Sequence, residues 1–238
     1  GGFFGGGQTA CGAIDIHGGI VMVTGGAAAA GIGGGAMGDG GVISVYGGYV
    51  TATSGVDDGM AGAGIGGGAM GAGGEFNLWG GDVHAQALPL GAGVGGGMAA
   101  AGADVTIHGG SLTAIGGVID DEGEVRTSSG LGRGYAGSYP GAFAVADDCS
   151  CQVLAGRDEG SLTEVGANDF AQAQPNPEKP EKTIYVGWYT NIYVQITATK
   201  RPEPVAEPEP VAEPVEEEPE EPEPVAEPVE EKPEEPEP

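Results

Sequence analysis

A column of flat side chains recurs through the first half of the chain. One ring residue stands directly before a Gly-Gly pair at four places, and a polar residue stands two positions before each ring. The rings are His17, Tyr46, Trp79 and His108, and the polar residues are Asp15, Ser44, Asn77 and Thr106. Flat aromatic faces with polar neighbours suit stacking on sugar rings and hydrogen bonding to their hydroxyls. The pattern therefore predicts a ligand-binding face. The alternative is that the rings only stabilise packing between neighbouring strands.

Acidic pairs are a second candidate for chemistry. Asp57 and Asp58 stand in one predicted loop, and Asp120 and Asp121 in another. Carboxylate oxygens are the ligands that calcium prefers, so these residues are weak calcium candidates. Neither loop has the spaced Asp pattern with a distal Glu of a defined calcium loop, and solvated turns are the favoured interpretation. No other metal or cofactor is predicted.

Catalytic residues are not predicted. A glycoside hydrolase needs two carboxylates at a set separation across a cleft, and no pair here can be placed in that way. A lyase acting on acidic polysaccharide needs basic groups, yet residues 1–170 hold only Arg126, Arg133 and Arg157. A polysaccharide-degrading enzyme of the β-helix type is therefore the disfavoured alternative.

A repeat positions the ring column. Gly31-Ile32-Gly33-Gly34-Gly35 recurs around Ile65, Val94 and Leu131, with a truncated copy around Phe4, so the unit is about 29 residues long. Two longer steps have visible causes, because extra loops occur near residues 56–60 and 119–123. Within each unit, two short segments alternate apolar and polar residues, which predicts strands with one buried face. The predicted core columns are Ile14, Ile43, Phe76 and Val105; Ile16, Val45, Leu78 and Ile107; Val21, Val50, Val83 and Leu112; and Val23, Ala52, Ala85 and Ala114.

These elements predict an all-β chain whose first part is a parallel β-solenoid of about four to five coils. Residues 1–170 form the solenoid, with a degenerate final coil or cap from about residue 118. A linker covers 171–182, a β-hairpin or partial module covers 183–200 around a Thr190-Asn191 turn, and a disordered Pro/Glu-rich spacer covers 201–238. The competing interpretation of the first part is a Gly/Ala-rich disordered tract.

The composition of the chain argues against nucleic acid and membrane as binding partners. The 238 residues include 51 Gly and 17 Pro, and 35 acidic against 8 basic residues give a net charge of -27. Such a chain lacks the basic footprint of a nucleic-acid binder, and no apolar run approaches the roughly 18 residues of a membrane span. The predicted partner is a polysaccharide or surface glycan, with no nucleic acid and no membrane insertion. Because the sequence starts inside a repeat and stops inside the Pro/Glu tract, we expect it to be a piece of a longer protein. Three cysteines leave the redox compartment open.

The repeat motif consists of the run Gly62 to Gly68, an alternating strand, a Gly-Gly pair and the run Val50 to Thr53. This motif resembles Gly-rich repeats of secreted and surface bacterial proteins, in the groups called carbohydrate-binding-domain-containing and adhesin-like. The resemblance covers about residues 1–117 and extends weakly to 165. It implies a right-handed parallel β-helix outside the cell; relatives bind acidic or cellulosic plant polysaccharide, some with calcium. This chain has Gly-Ala-Gly-Ile where an Asp-containing loop is expected. The expectation is a non-catalytic extracellular or cell-surface carbohydrate-binding or adhesin-like module, and the alternative is a purely structural stalk.

Overall fold

The computed structural model describes residues 10–166, 171–175, 183–187 and 191–200. This part of the chain is all-β apart from one 3-10 turn at Glu159–Ser161. Its strands build a parallel β-solenoid of about four coils, as the repeat predicts. Each coil gives one strand to each of three sheets, named A, B and C in the order in which the chain visits them.

Sheets A and C are parallel throughout. Sheet A contains Ala13–Ile16, Val42–Val45, Gly74–Leu78, Ala103–Ile107 and Phe143–Val145. Sheet C contains the two-residue strands Ile32–Gly33, Ile65–Gly66, Val94–Gly95 and Leu131–Gly132. Sheet B begins with four parallel strands, Ile20–Thr24, Tyr49–Thr53, Asp82–Gln86 and Gly110–Ile115.

The core columns are confirmed. Ile43, Phe76 and Val105 are register partners in sheet A and are 0–1% exposed, and the other predicted columns align in the same way. The members that belong to the first coil, Ile14, Ile16, Val21 and Val23, are only partly buried. Each large apolar side chain removed from water contributes about 1.5–3 kcal/mol, so the stacked columns hold the coils together.

A glycine column allows the coils to approach one another in sheet C. Gly66 has φ +130°, a conformation that L side chains rarely adopt, and a Cβ placed there would overlap the carbonyl oxygen of Gly95 in the next coil. Gly33 and Gly95 stand in the same arrangement. This is why the Gly-Ile-Gly-Gly-Gly string recurs once in each coil.

The two predicted extra loops are short antiparallel hairpins. Val56–Asp57 pairs with Met60–Ala61, and Val118–Asp121 pairs with Glu124–Thr127. They lengthen two coils without changing the register of the three sheets, which explains the uneven repeat steps.

The hairpin predicted for residues 183–200 is wrong. Tyr193–Lys200 joins sheet B, where it runs antiparallel between Gly110–Ile115 and Cys149–Gly156. Thr183–Gly187 pairs with Ala171–Pro175, inside the segment predicted as a linker.

The physical reason lies in the alternating apolar side chains of Tyr193–Lys200. Val194, Ile196 and Ala198 are 0–6% exposed and cover the end of the core. If this strand paired only within a separate hairpin, the end of the core would stay uncovered. Thr163–Val165 completes sheet B beyond Cys149–Gly156. The predicted spacer 201–238 lies outside the described residues. Within the described part, no helix is long and apolar enough to cross a membrane.

Candidate functional site

The four rings predicted to align do so on the outer side of the corner between sheets A and B. Each ring residue continues the parallel register by one step beyond its strand. The N–H of Tyr46 donates to the Ile16 carbonyl at 2.8 Å, that of Trp79 to Val45 at 2.8 Å, and that of His108 to Leu78 at 2.7 Å. The backbone therefore fixes one ring per coil. We call His17, Tyr46, Trp79 and His108 the ladder.

The rings stack on one another along the solenoid axis. His17 and Tyr46 have ring centroids 4.7 Å apart at an interplanar angle of 11°, and Trp79 and His108 are 3.6 Å apart at 6°. Nearly parallel rings this close must lie face over face, because rings lying side by side would overlap at such distances. Tyr46 and Trp79 are offset, at 6.0 Å and 11°. The flat faces between neighbouring rings, here called the inner faces, therefore point toward each other. The edges of the rings, here called the rims, face the solvent.

The exposed fraction of the ladder is large for its residue types. Tyr46 is 43% and Trp79 47% exposed, His17 is exposed and His108 is half-buried. The ladder is therefore a preformed apolar strip that carries the polar tips of tyrosine, tryptophan and histidine.

The predicted polar column lies beside the ladder. Asp15, Ser44, Asn77 and Thr106 are register partners in sheet A. Their accessibility differs, since Asp15 is exposed and Ser44 is only 6% exposed. The Asn77 amide donates to the Glu75 carboxylate at 2.9 Å. The structure thus brings all eight predicted residues to one face, with Ser44 the least accessible of them.

The acidic pairs predicted as weak calcium candidates lie in the inserted hairpins. Asp57 and Asp58 stand at the tip of the first, where Asp58 has φ +45°. In the second, the Asp120 carboxylate accepts the Gly123 N–H at 3.0 Å, which is a turn contact. The side chain of Asp121 lies outside the described part. Among the described residues, no group of three His, Cys, Asp or Glu side chains is placed to hold a metal ion.

Sequence reasoning missed a polar cluster on the outer face of sheet B. The Asp82 carboxylate lies 3.4 Å from Nε2 of His84 and accepts the Ser111 hydroxyl at 2.8 Å, while Tyr49 leans against His84 with ring centroids 5.5 Å apart. Aligning Tyr49, Asp82 and Ser111, which are register partners in sheet B, would have revealed it. The hydrogen bond from Ser111 and the contact with His84 both engage the Asp82 carboxylate.

Among the described residues, the first coil carries an apolar hollow of about 500 Å³, lined by Cys11, Ile14, Ile16, Val21 and Ile32 among others. Burial raises the pKa of the Cys11 thiol. At the other end of the solenoid, burial and the neighbouring Cys149 raise the pKa of Cys151 to about 11. Both thiols are therefore protonated, and poor nucleophiles, at neutral pH.

Comparison with protein families finds a match to a family described as Beta helix repeat. The match covers residues 43–69, most of one coil, and includes Tyr46 of the ladder. Comparison with curated proteins gives no significant match, and comparison with solved structures gives none. The chain thus contains a β-helix repeat, in agreement with the coils described above.

Proposed function

We propose that this chain is a non-catalytic β-solenoid module that binds polysaccharide along the ladder. One observation carries the proposal: four rings are held at one register position of rigid sheets with their rims in solvent. Exposed tryptophan and tyrosine fixed before any ligand arrives lower the entropic cost of binding. The polar column beside the ladder supplies donors and acceptors for sugar hydroxyls.

Charge favours some glycans over others. Asp15, Glu75 and Asp104 are exposed carboxylates of sheet A, and no lysine or arginine occurs in the outward columns of its described strands. Polymers of uronic acids would be repelled by this face at low salt. Neutral polysaccharides, such as cellulose, xylan or mannan, fit it better.

We also propose that the module lies outside the cell, because polysaccharides such as cellulose, xylan and mannan occur there. Equivalent positions in successive coils would add weak contacts along one polymer chain, and linked weak contacts raise avidity. Calcium is not needed in this scheme. No acid–base pair is identified among the described residues, and we place the module among binding proteins rather than enzymes.

A purely structural stalk is the second candidate, and ring stacking favours it. Faces turned toward each other stabilise the contact between neighbouring coils by about 0.5–1.5 kcal/mol per pair, with or without a ligand. Under this alternative, removing rings lowers stability and changes no binding.

The experiment is retention of the chain on insoluble cellulose, xylan and mannan. The double variant Tyr46→Ala with Trp79→Ala should lose retention, whereas Tyr139→Ala, which removes an exposed tyrosine outside the ladder, should keep it. Circular dichroism confirms that each variant folds. Equal retention of all three chains would refute the ladder as the binding face, and release of reducing ends from any polymer would refute the non-catalytic assignment.

A further inference from the structure

The ladder stops one coil before the solenoid does. In the last coil, the N–H of Ala146 donates to the Ile107 carbonyl at 2.9 Å, the same bond that His108 makes to Leu78 in the coil before. By backbone position, Ala146 therefore corresponds to the next ring residue, but it carries only a methyl group, which packs partly buried against the core. Among the described residues, one rung above His108 is left without a ring.

One imidazole face is consequently free of ring contacts. His108 stacks on Trp79 through one face, at 3.6 Å, and no ring of the described residues stacks on the other. Neighbouring strands lie about 4.8 Å apart, so the step from one rung to the next is close to the thickness of one stacked ring. A ring stacked on the second face of His108 would therefore stand at the rung of Ala146. The other inner faces of the ladder are occupied by their neighbours.

Polar groups border this position. Asp147 and Asp148 follow Ala146 directly and both are exposed. The carboxylate of Asp148 lies 3.6 Å from Nζ of Lys200. Lys200 is the last residue of Tyr193–Lys200, the strand that covers the end of the core, which we call the capping strand. Asp147 makes no ion pair of that kind with a described residue. Its carboxylate is available to accept hydrogen bonds from hydroxyl groups next to the vacant rung.

We propose that the vacant rung between His108 and Ala146 is the stacking subsite for one pyranose ring of the polysaccharide. The sugar presents its C–H face to the imidazole and its hydroxyls to Asp147, as apolar and polar groups converge in sugar sites generally. The proposal rests on the proposed function. It narrows that function to a single subsite at one end of the ladder, with the rims of Trp79 and Tyr46 guiding the remainder of the polymer.

The chain supplies matched controls. His84 is a histidine outside the ladder, on the outer face of sheet B, and Ala144 is an exposed alanine two residues before Ala146. Ala146→Ile fills the vacant rung without offering a flat face, whereas Ala144→Ile adds the same bulk one column away. His108→Ala removes the platform, whereas His84→Ala removes a histidine that is not part of the ladder.

The test is a titration of the full chain with cellohexaose, xylohexaose and mannohexaose, followed by the fluorescence of Trp79. The chain contains two tryptophans, so a Trp188→Phe background isolates the signal. We expect Ala146→Ile and His108→Ala to weaken binding at least about tenfold, or 1.4 kcal/mol. Ala144→Ile and His84→Ala should stay within about twofold. Urea unfolding of each variant confirms that the fold is kept.

Two results overturn the subsite. If Ala146→Ile binds like the parent while the Tyr46 and Trp79 variant loses retention on polysaccharide, the ladder binds but the vacant rung does not. If the parent binds none of the three oligosaccharides and is not retained on any insoluble polymer, the proposed function fails together with the subsite.

Discussion

At the scale of residues, backbone conformation separates two small-residue positions that look alike in the sequence. Gly66 has φ +130° and no room for a Cβ, while Ala99 has φ +61° in an exposed turn that closes through the Ala100 N–H and the Gly97 carbonyl. The equivalent turns place Met37, Met70 and Ala136 at φ +60° to +63°. Glycine is needed at the first position and would be tolerated at the second.

Exchanging these residues should therefore have opposite effects. Gly66→Ala should lower the free energy of unfolding by at least about 3 kcal/mol, because it adds both strain and overlap. Ala99→Gly relieves about 1–2 kcal/mol of left-handed strain and costs roughly 0.4–1 kcal/mol of extra unfolded-state entropy, so it should be neutral or stabilise by about 1 kcal/mol. Urea titrations followed by circular dichroism measure both. Similar losses in the two variants would mean that the turn at Ala99 is not under strain.

The ladder also shows what residue spacing can and cannot predict. Counting back from each Gly-Gly pair placed His17, Tyr46, Trp79 and His108 in one column, since period-two strands fix which side chains share a face. Counting could not reveal that the rings turn their faces toward one another, because ring orientation is set by side-chain torsions and not by the repeat. Ala146 was missed because the pattern around it no longer resembles the unit.

At the scale of elements, the parallel strands were predictable and the capping strand was not. Each parallel strand follows a local signal, repeated at a nearly constant step. Tyr193–Lys200 belongs to no repeat. It pairs antiparallel with two strands that lie on average about 44 and 83 residues earlier in the chain. Its alternating Val194, Ile196 and Ala198 indicated a half-buried strand but not its partner. The strand pairs with sheet B because the last coil of the solenoid would otherwise leave the end of the core and a sheet edge uncovered, which is unfavourable.

The capping strand should carry a large share of the stability. Ile196 is 1% exposed at the end of the core, so Ile196→Ala should cost about 2–5 kcal/mol. Thr197→Ala changes an exposed residue of the same strand and should stay within about 0.5 kcal/mol. The urea midpoints of the two variants and the parent test this. A small effect at Ile196 would show that the strand covers the core without stabilising it.

At the scale of the whole solenoid, the two ends differ. The last coil is covered by Tyr193–Lys200 and Cys149–Gly156, whereas the strands of the first coil are paired on one side only among the described residues. Ile14, Ile16, Val21 and Val23 are accordingly less buried than their partners in later coils, and the outward-facing Ile20 and Met22 are 78% and 71% exposed. In a stack where each unit contacts only its neighbours, a unit with one neighbour has the lower local stability.

Hydrogen exchange should reveal this gradient. Amides of Ala13–Ile16 and Ile20–Thr24 should exchange at least about tenfold faster than those of Gly74–Leu78 and Asp82–Gln86, because, among the described residues, opening the first coil breaks one interface and opening the third breaks two. Mass spectrometry of peptides spanning the two coils gives the rates at one pH. Cys149–Gly156, which is paired on both sides, is the control near the other end and should stay protected. Equal protection of the first and third coils would contradict a one-sided solenoid and would mean that the edge of the first coil is covered in solution.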